Sequence, residues 1–232
     1  MQDIENDMNA LLNAHTQRGR SRSPYVRLTS NVLPEAQRSQ TGVSSDYVQK
    51  ANHEWFVLRV TYNRAKKANG IISKSGVQAY MPMHYVIKKE IGKKKRILQP
   101  LLPNLLFVYA TREAVNSIIK KKEDEISVLR FYLDKTKPLE INGKHPPITI
   151  PFTAMINFIK ATSTDNEHVR VVSSEQCHFK SGDMVRVTGG EFEGVTGKVA
   201  RIAGQQRVVV EILGLCLVAT AYVPTDFIEF IK

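Results

Sequence analysis

Cysteine is scarce in this chain. Cys177 and Cys216 are its only two, too few for a disulfide framework and without the second ligand pair that a zinc knuckle needs. A reducing cytoplasm fits that usage. Cys216 lies inside an apolar run and reads as a small core residue. Long apolar runs are missing as well. A bilayer-spanning helix needs about 20 consecutive apolar residues. The longest candidate, residues 212–223, is shorter, carries Thr220 and stops at Pro224. The start, Met1-Gln2-Asp3-Ile4-Glu5, is acidic and lacks the basic lead and apolar centre of a secretory signal. No membrane partner is expected.

Recognisable enzyme constellations are missing too. The Gly197-Lys198 pair invites a phosphate-loop reading, but Phe192 stands where the first Gly is needed and Val199 where a Ser or Thr should hold Mg²⁺. No GxGxxG follows a strand. His15, His53, His84, His145, His168 and His178 are scattered, with neither an HExxH nor an i,i+4 pair. The acids Glu123, Asp124 and Glu125 follow Lys120, Lys121 and Lys122 and read as neutralising a helix end. A non-enzymatic protein without cofactor or metal is expected.

What the chain has in excess is positive charge. Lys and Arg number 33 against 22 Asp and Glu, a formal net charge of +11 and a pI near 9.6. Such a balance favours a polyanionic partner, nucleic acid or an anionic surface. A hydrophobic share of 42% can build real cores, and the length suits one or two domains.

Periodicity divides the chain into four pieces. Residues 1–53 read as a flexible N-terminal extension, with one short amphipathic helix on Ile4, Met8, Leu11 and Leu12 and a basic stretch at residues 17–24. Residues 54–161 alternate strands and helices. Strands are expected at 55–60, 77–82, 105–109 and 127–133, and a hairpin at 85–98 that turns at Gly92. Helices are expected at 62–75, ended near Gly76, at 112–122 and at 153–161. The last has an apolar face of Met155, Ile156, Phe158 and Ile159, and residues 138–151 should be mostly loop. The order β-α-β-β-β-α-β suggests an α+β sandwich with a mainly antiparallel sheet. Residues 162–179 read as a linker. Residues 180–232 hold four or five short strands broken by Gly-rich turns. So few residues cannot bury two faces as a flat sheet, and curling into a small β-barrel answers the edge problem.

Three separated stretches carry a resemblance. They are Trp55-Phe56-Val57-Leu58, then residues 99–108 (Gln-Pro-Leu-Leu-Pro-Asn-Leu-Leu-Phe-Val), then Gly182-Asp183-Met184-Val185-Arg186-Val187 with Gly190-Glu191-Phe192-Glu193-Gly194. In this order they resemble the NusG family of transcription elongation factors over residues 54–232. The resemblance implies an N-terminal NusG-type α/β sandwich, a linker and a C-terminal KOW barrel of SH3-like type. Asn104-Leu105 replaces the Gly-Tyr of the housekeeping pattern. This is more similar to specialised paralogues, RfaH and the antiterminators of capsule-polysaccharide operons among them. The implied activity is non-covalent binding to RNA polymerase, promoting processive transcription and antitermination of specific operons. A KOW-containing ribosomal or RNA-binding protein is the alternative.

By position the resemblance implies that Leu102 and Leu105 meet the clamp helices of the largest polymerase subunit, and that Asn116 and Ser117 reach its gate loop. Core is the competing reading for both leucines, and for Trp55. Lys66, Lys67 and Lys74 lie on the helix that in RfaH faces the non-template DNA strand. Lys88, Lys89, Lys93, Lys94, Lys95 and Arg96 place six cations within nine residues of the hairpin. Charge at a tip can meet phosphates without burying anything, so this helix and hairpin are the expected DNA contacts beside the bubble. Residues 176–232, in contrast, carry six cations and six anions. A neutral module suits protein docking better than RNA. The family's barrel recruits Rho or a small ribosomal protein through Phe-Gly-Arg. Leu213-Gly214-Leu215 stands there in this sequence, which puts Rho in doubt and leaves a ribosomal protein or another adaptor as partner. The free protein is expected to be a monomer.

Overall fold

The computed structural model describes residues 47–61, 64–90, 92–120, 129–164, 166–212 and 214–231. The expected helix around Ile4 to Leu12, the basic stretch at 17–24 and the acids at 123–125 lie outside them.

The N-terminal part is organised by β1 (Glu54–Val60) and β5 (Leu105–Ala110). Their apolar runs are nearly continuous because both strands are central and covered on both faces. They pair antiparallel, Trp55 opposite Tyr109 and Val57 opposite Phe107. On one face Phe56, Leu58 and Val60 join Leu106 and Val108 beneath two helices, α1 (Ala65–Lys74) and α2 (Arg112–Lys120). On the other, Trp55, Val57, Phe107 and Tyr109 belong to a second core. The sheet is completed by β2 (Gln78–Tyr80) on β5, and by β6 (Leu129–Phe131) and β7 (Thr149–Ile150) along the far edge of β1. The short β7 falls where loop was expected; Ile150 lies opposite Trp55. The expected N-terminal extension is not wholly separate either. Tyr47 stacks at 5.5 Å from Trp55, and the Lys50 amide donates to the Tyr109 hydroxyl at 2.7 Å. Between β2 and β5 the chain leaves this sheet as a two-stranded ribbon, β3 (Met83–Glu90) and β4 (Lys93–Pro100).

Helix α3 (Phe152–Thr162) follows Pro151 and packs on β1. The expected face holds in kind: Met155, Phe158 and Ile159 are buried and Ile156 is half-buried. Phe158 sits 5.4 Å from Phe107 and 6.4 Å, edge-on, from Tyr80. The Tyr80 hydroxyl meets Thr162 Oγ1 at 2.6 Å and Ser163 Oγ at 3.1 Å. Burial pushes that phenol up to about 12, partly offset by the two hydroxyl contacts.

The C-terminal part packs on the opposite side of α3. Its strands are β8 (Arg170–Val172), β9 (His178–Val187), β10 (Thr196–Ile202), β11 (Gln205–Ile212), β12 (Cys216–Tyr222) and β13 (Ile228–Phe230). They form one antiparallel sheet in the order β13-β9-β10-β11-β12-β8. The expected closed barrel is therefore corrected: among the described residues no pairing joins the edges β13 and β8. The reason lies in residues 162–179. They carry β8, which takes the free edge of β12, and β13 is only three residues long at the other edge. Register shifts between Lys198 and Ala200 and between Arg207 and Val209 bend the sheet. Cys216 is core as expected, its thiol pushed up to about 12 by burial.

Gly197, useless as a phosphate loop, has a structural task. A Cβ there would lie 2.3 Å from the Val209 carbonyl oxygen and 2.9 Å from Val208 Cγ1. Only Gly lets β10 and β11 approach this closely. Gly197→Ala should lower stability by about 1–3 kcal/mol. Gly70→Ala, inside α1 with open space around its Cβ, should raise it by about 0.5–1 kcal/mol. Urea midpoints of the two variants, moving in opposite directions, check both.

Candidate nucleic-acid interface

An isolated two-stranded ribbon is marginal in water, so β3–β4 must be held at its base. The Leu101 amide donates to the Pro82 carbonyl at 2.8 Å, and Gln99 Nε2 lies 3.4 Å from Nε2 of the buried His84. The Arg96 guanidinium lies over the Tyr85 ring, 3.7 Å from its centroid, a cation–π contact that keeps the cation while ordering it. Beyond Ile87, exposure takes over: Lys88, Lys89, Lys93, Lys94 and Lys95 are all exposed, and Gly92 makes the turn with φ 76°.

Helix α1 joins this ribbon directly. Lys66 Nζ donates to the Leu98 carbonyl at 2.8 Å. That bond brings the helix cations and the hairpin cations, expected separately from sequence, onto one connected surface. Lys67 is exposed on α1 and Lys74 is the last residue of the helix. Arg59 and Arg130, which the sequence reading did not single out, are both exposed and directly opposite across β1 and β6. Each is the lone cation of its strand, and only the strand register brings them together.

The residues aligned with polymerase contacts lie elsewhere. Leu102 is 0% and Leu105 6% exposed, both within the core shared by α3 and the C-terminal sheet. Leu101 beside them lines a cleft of about 630 Å³ whose other walls include Tyr85, Ile87, His168, Arg170 and Ile202. Ser117 is exposed, but its hydroxyl donates to the Glu113 carbonyl of its own helix at 2.9 Å, and Asn116 is half-buried. Of the expected adaptor-docking loop, Leu213 lies outside the described residues. Gly214 is exposed with φ 65°, and Leu215 is buried, its amide donating to the Ile212 carbonyl at 2.7 Å.

The join between α3 and the C-terminal sheet is polar as well as apolar. Asn157 makes a paired clamp on Thr196, its Nδ2 donating to the carbonyl and its Oδ1 accepting from the amide, both at 2.7 Å. Glu191 accepts from Thr164 Oγ1 and, at 2.7 Å, from Asn166 Nδ2. The buried Arg207 donates to the carbonyls of His168 at 2.9 Å and Thr220 at 2.8 Å, and to Gln205 Oε1 at 2.8 Å. Burial, with Arg170 nearby, lowers its guanidinium below the ordinary value.

Arg207→Ala should cost about 2–4 kcal/mol, because the carbonyls of His168 and Thr220 lose a buried donor. Chemical denaturation against wild type measures it.

Among the described residues no group of His, Cys, Asp or Glu could hold a metal ion, and no helix is long and apolar enough to cross a membrane. No curated protein matches this chain. Residues 53–148, which hold the first sheet apart from β7, the basic ribbon and helices α1 and α2, match the NusG family model, described as transcription termination factor nusG, a likeness that supports membership of that family.

Proposed function

We propose that this chain is a specialised NusG-type factor that binds elongating RNA polymerase and promotes processive transcription and antitermination. The observation that carries this reading is the NusG match over residues 53–148, which contain the basic β3–β4 ribbon bonded to the basic helix α1. A polymerase factor working beside the bubble needs such a surface, because phosphate contacts supply affinity without sequence reading. In this reading residues 54–161 are the NusG domain, 162–179 a linker that lends β8 to its neighbour, and 180–232 a KOW module. The KOW reading rests on Gly190-Glu191-Phe192-Glu193-Gly194, where both glycines have positive φ and Phe192 is buried. The near-equal charges of this module favour a protein adaptor over RNA.

Lys67, Lys74, Lys93, Lys94, Lys95 and Arg96 are assigned to non-template DNA. Leu102 and Leu105 are assigned to the clamp helices, and Asn116 and Ser117 to the gate loop. The two leucines are buried, so their assignment requires the C-terminal sheet to leave α3 when polymerase binds.

Affinity purification of the chain from cells should recover RNA polymerase, and the purified chain should raise terminator read-through in transcription with that polymerase. Recovery of ribosomal subunits in place of polymerase would decide for the ribosomal alternative. Asn157→Ala removes the paired clamp on Thr196 and should raise polymerase retention several-fold. Unchanged retention would mark Leu102 and Leu105 as core residues alone.

A further inference from the structure

The β3–β4 ribbon is charged on both of its faces, and this bears on the form of nucleic acid it takes. Successive side chains of a strand point to opposite faces, and residues directly opposite in a pair share one. The register places Lys88 opposite Lys95, and Lys89 opposite Lys94. One face thus carries Val86, Ile97, Lys88 and Lys95. The other carries Ile87, Arg96, Lys89 and Lys94. Each carries two lysines directly opposed, an arrangement that destabilises a strand pair. At the tip Glu90 stands opposite Lys93, and Glu90 is the only acid between Lys88 and Arg96. Among the described residues no further strand pairs with the ribbon to stiffen it. A self-repelling element of this kind is relieved when anions stand on both sides of it.

A ribbon lying along one strand, or on a flat anionic surface, meets phosphates on one face only. The opposite face could then carry neutral residues at no loss. Charge on both faces suits a slot between two phosphate walls. The major groove of B-form DNA, about 12 Å wide, admits a two-stranded ribbon, whereas the minor groove, about 6 Å wide, does not. The major groove of A-form RNA is too narrow for side chains to read. We propose that the β3–β4 ribbon inserts into the major groove of double-stranded DNA, with Lys88 and Lys95 on one phosphate wall and Lys89 and Lys94 on the other. The inference rests on the reading that this hairpin touches nucleic acid, and it names the duplex as the ligand. Lysines dominate the inserted part, so the contact grips with little base preference.

The test uses the full chain and fluorescence anisotropy with three probes of one sequence: duplex DNA, single-stranded DNA and duplex RNA. Two variants each neutralise one face, Lys88→Gln with Lys95→Gln, and Lys89→Gln with Lys94→Gln; a third combines all four. Duplex DNA is expected to bind tightest. Each one-face variant should weaken it by a similar factor of roughly 10 and lower the slope of log affinity against log salt by about 2. The melting temperature should be unchanged or raised, because repulsion is relieved. Loss confined to one face, or single-stranded DNA or duplex RNA bound as tightly as duplex DNA with the same lysine dependence, overturns groove insertion and leaves the hairpin a nucleic-acid contact. A fourfold variant that binds every probe like wild type overturns the nucleic-acid reading of the hairpin as well. Lysine-dependent binding to phosphatidylserine vesicles with no lysine dependence on DNA overturns both in favour of a lipid surface.

Discussion

Helix α3 is the joint on which the structure depends. It is buried from two directions, against β1 of the first sheet and against β11 and β12 of the second. Phe158 and Met155 extend the core that begins at Trp55, and the same core runs on through Val185, Val208 and Ile212. Apolar contact is non-directional and would let the helix slide. The paired amide clamp of Asn157 on Thr196 supplies direction. Glu191, bonded by Thr164 and Asn166, ties the chain leaving the helix to the turn between β9 and β10. A few polar bonds, part-buried at Asn157 and exposed at Glu191, thus decide where a large apolar surface comes to rest.

The same joint explains the state of the C-terminal sheet. Once residues just beyond α3 are held, β8 is placed beside β12 and fills that edge. Arg207 secures the approach by taking the carbonyl of His168. A small all-β module deals with its edges by closing or by covering them; here one edge is covered by a strand from the preceding segment. The edges that remain among the described residues are β8 and β13, and strands of three residues offer little template for pairing.

The ribbon obeys the opposite logic. In the first sheet charge is sparse on strands and apolar faces are covered. On β3–β4 the apolar and aromatic residues stop at Ile87 and Ile97, and lysines take over. The base is stabilised by Lys66, His84 and the stacking of Arg96 on Tyr85. Toward the tip Lys88 opposes Lys95 and Lys89 opposes Lys94, like charges that favour a polyanion over the ribbon's own folded isolation. Local conflict of this sort within an otherwise consistent fold marks a site of interaction.

Much of this was legible in the amino-acid sequence. The apolar runs at 55–58 and 105–109 named the central strands, because only strands covered on both faces lose their alternation. Gly92 and the lysines around it named the hairpin, and the motif set named the family that the match at 53–148 supports. These signals are local, set by neighbours in the chain. What the sequence could not show depends on distant partners. Strands β7 and β8 are short and weakly patterned, and exist because β1 and β12 present unfilled edges. Burial of Leu102 and Leu105, the meeting of Arg59 with Arg130, and the open sheet in place of a barrel follow from register and docking. Local chemistry chose the elements; the packing of α3 between two sheets chose which of their faces remain free to bind.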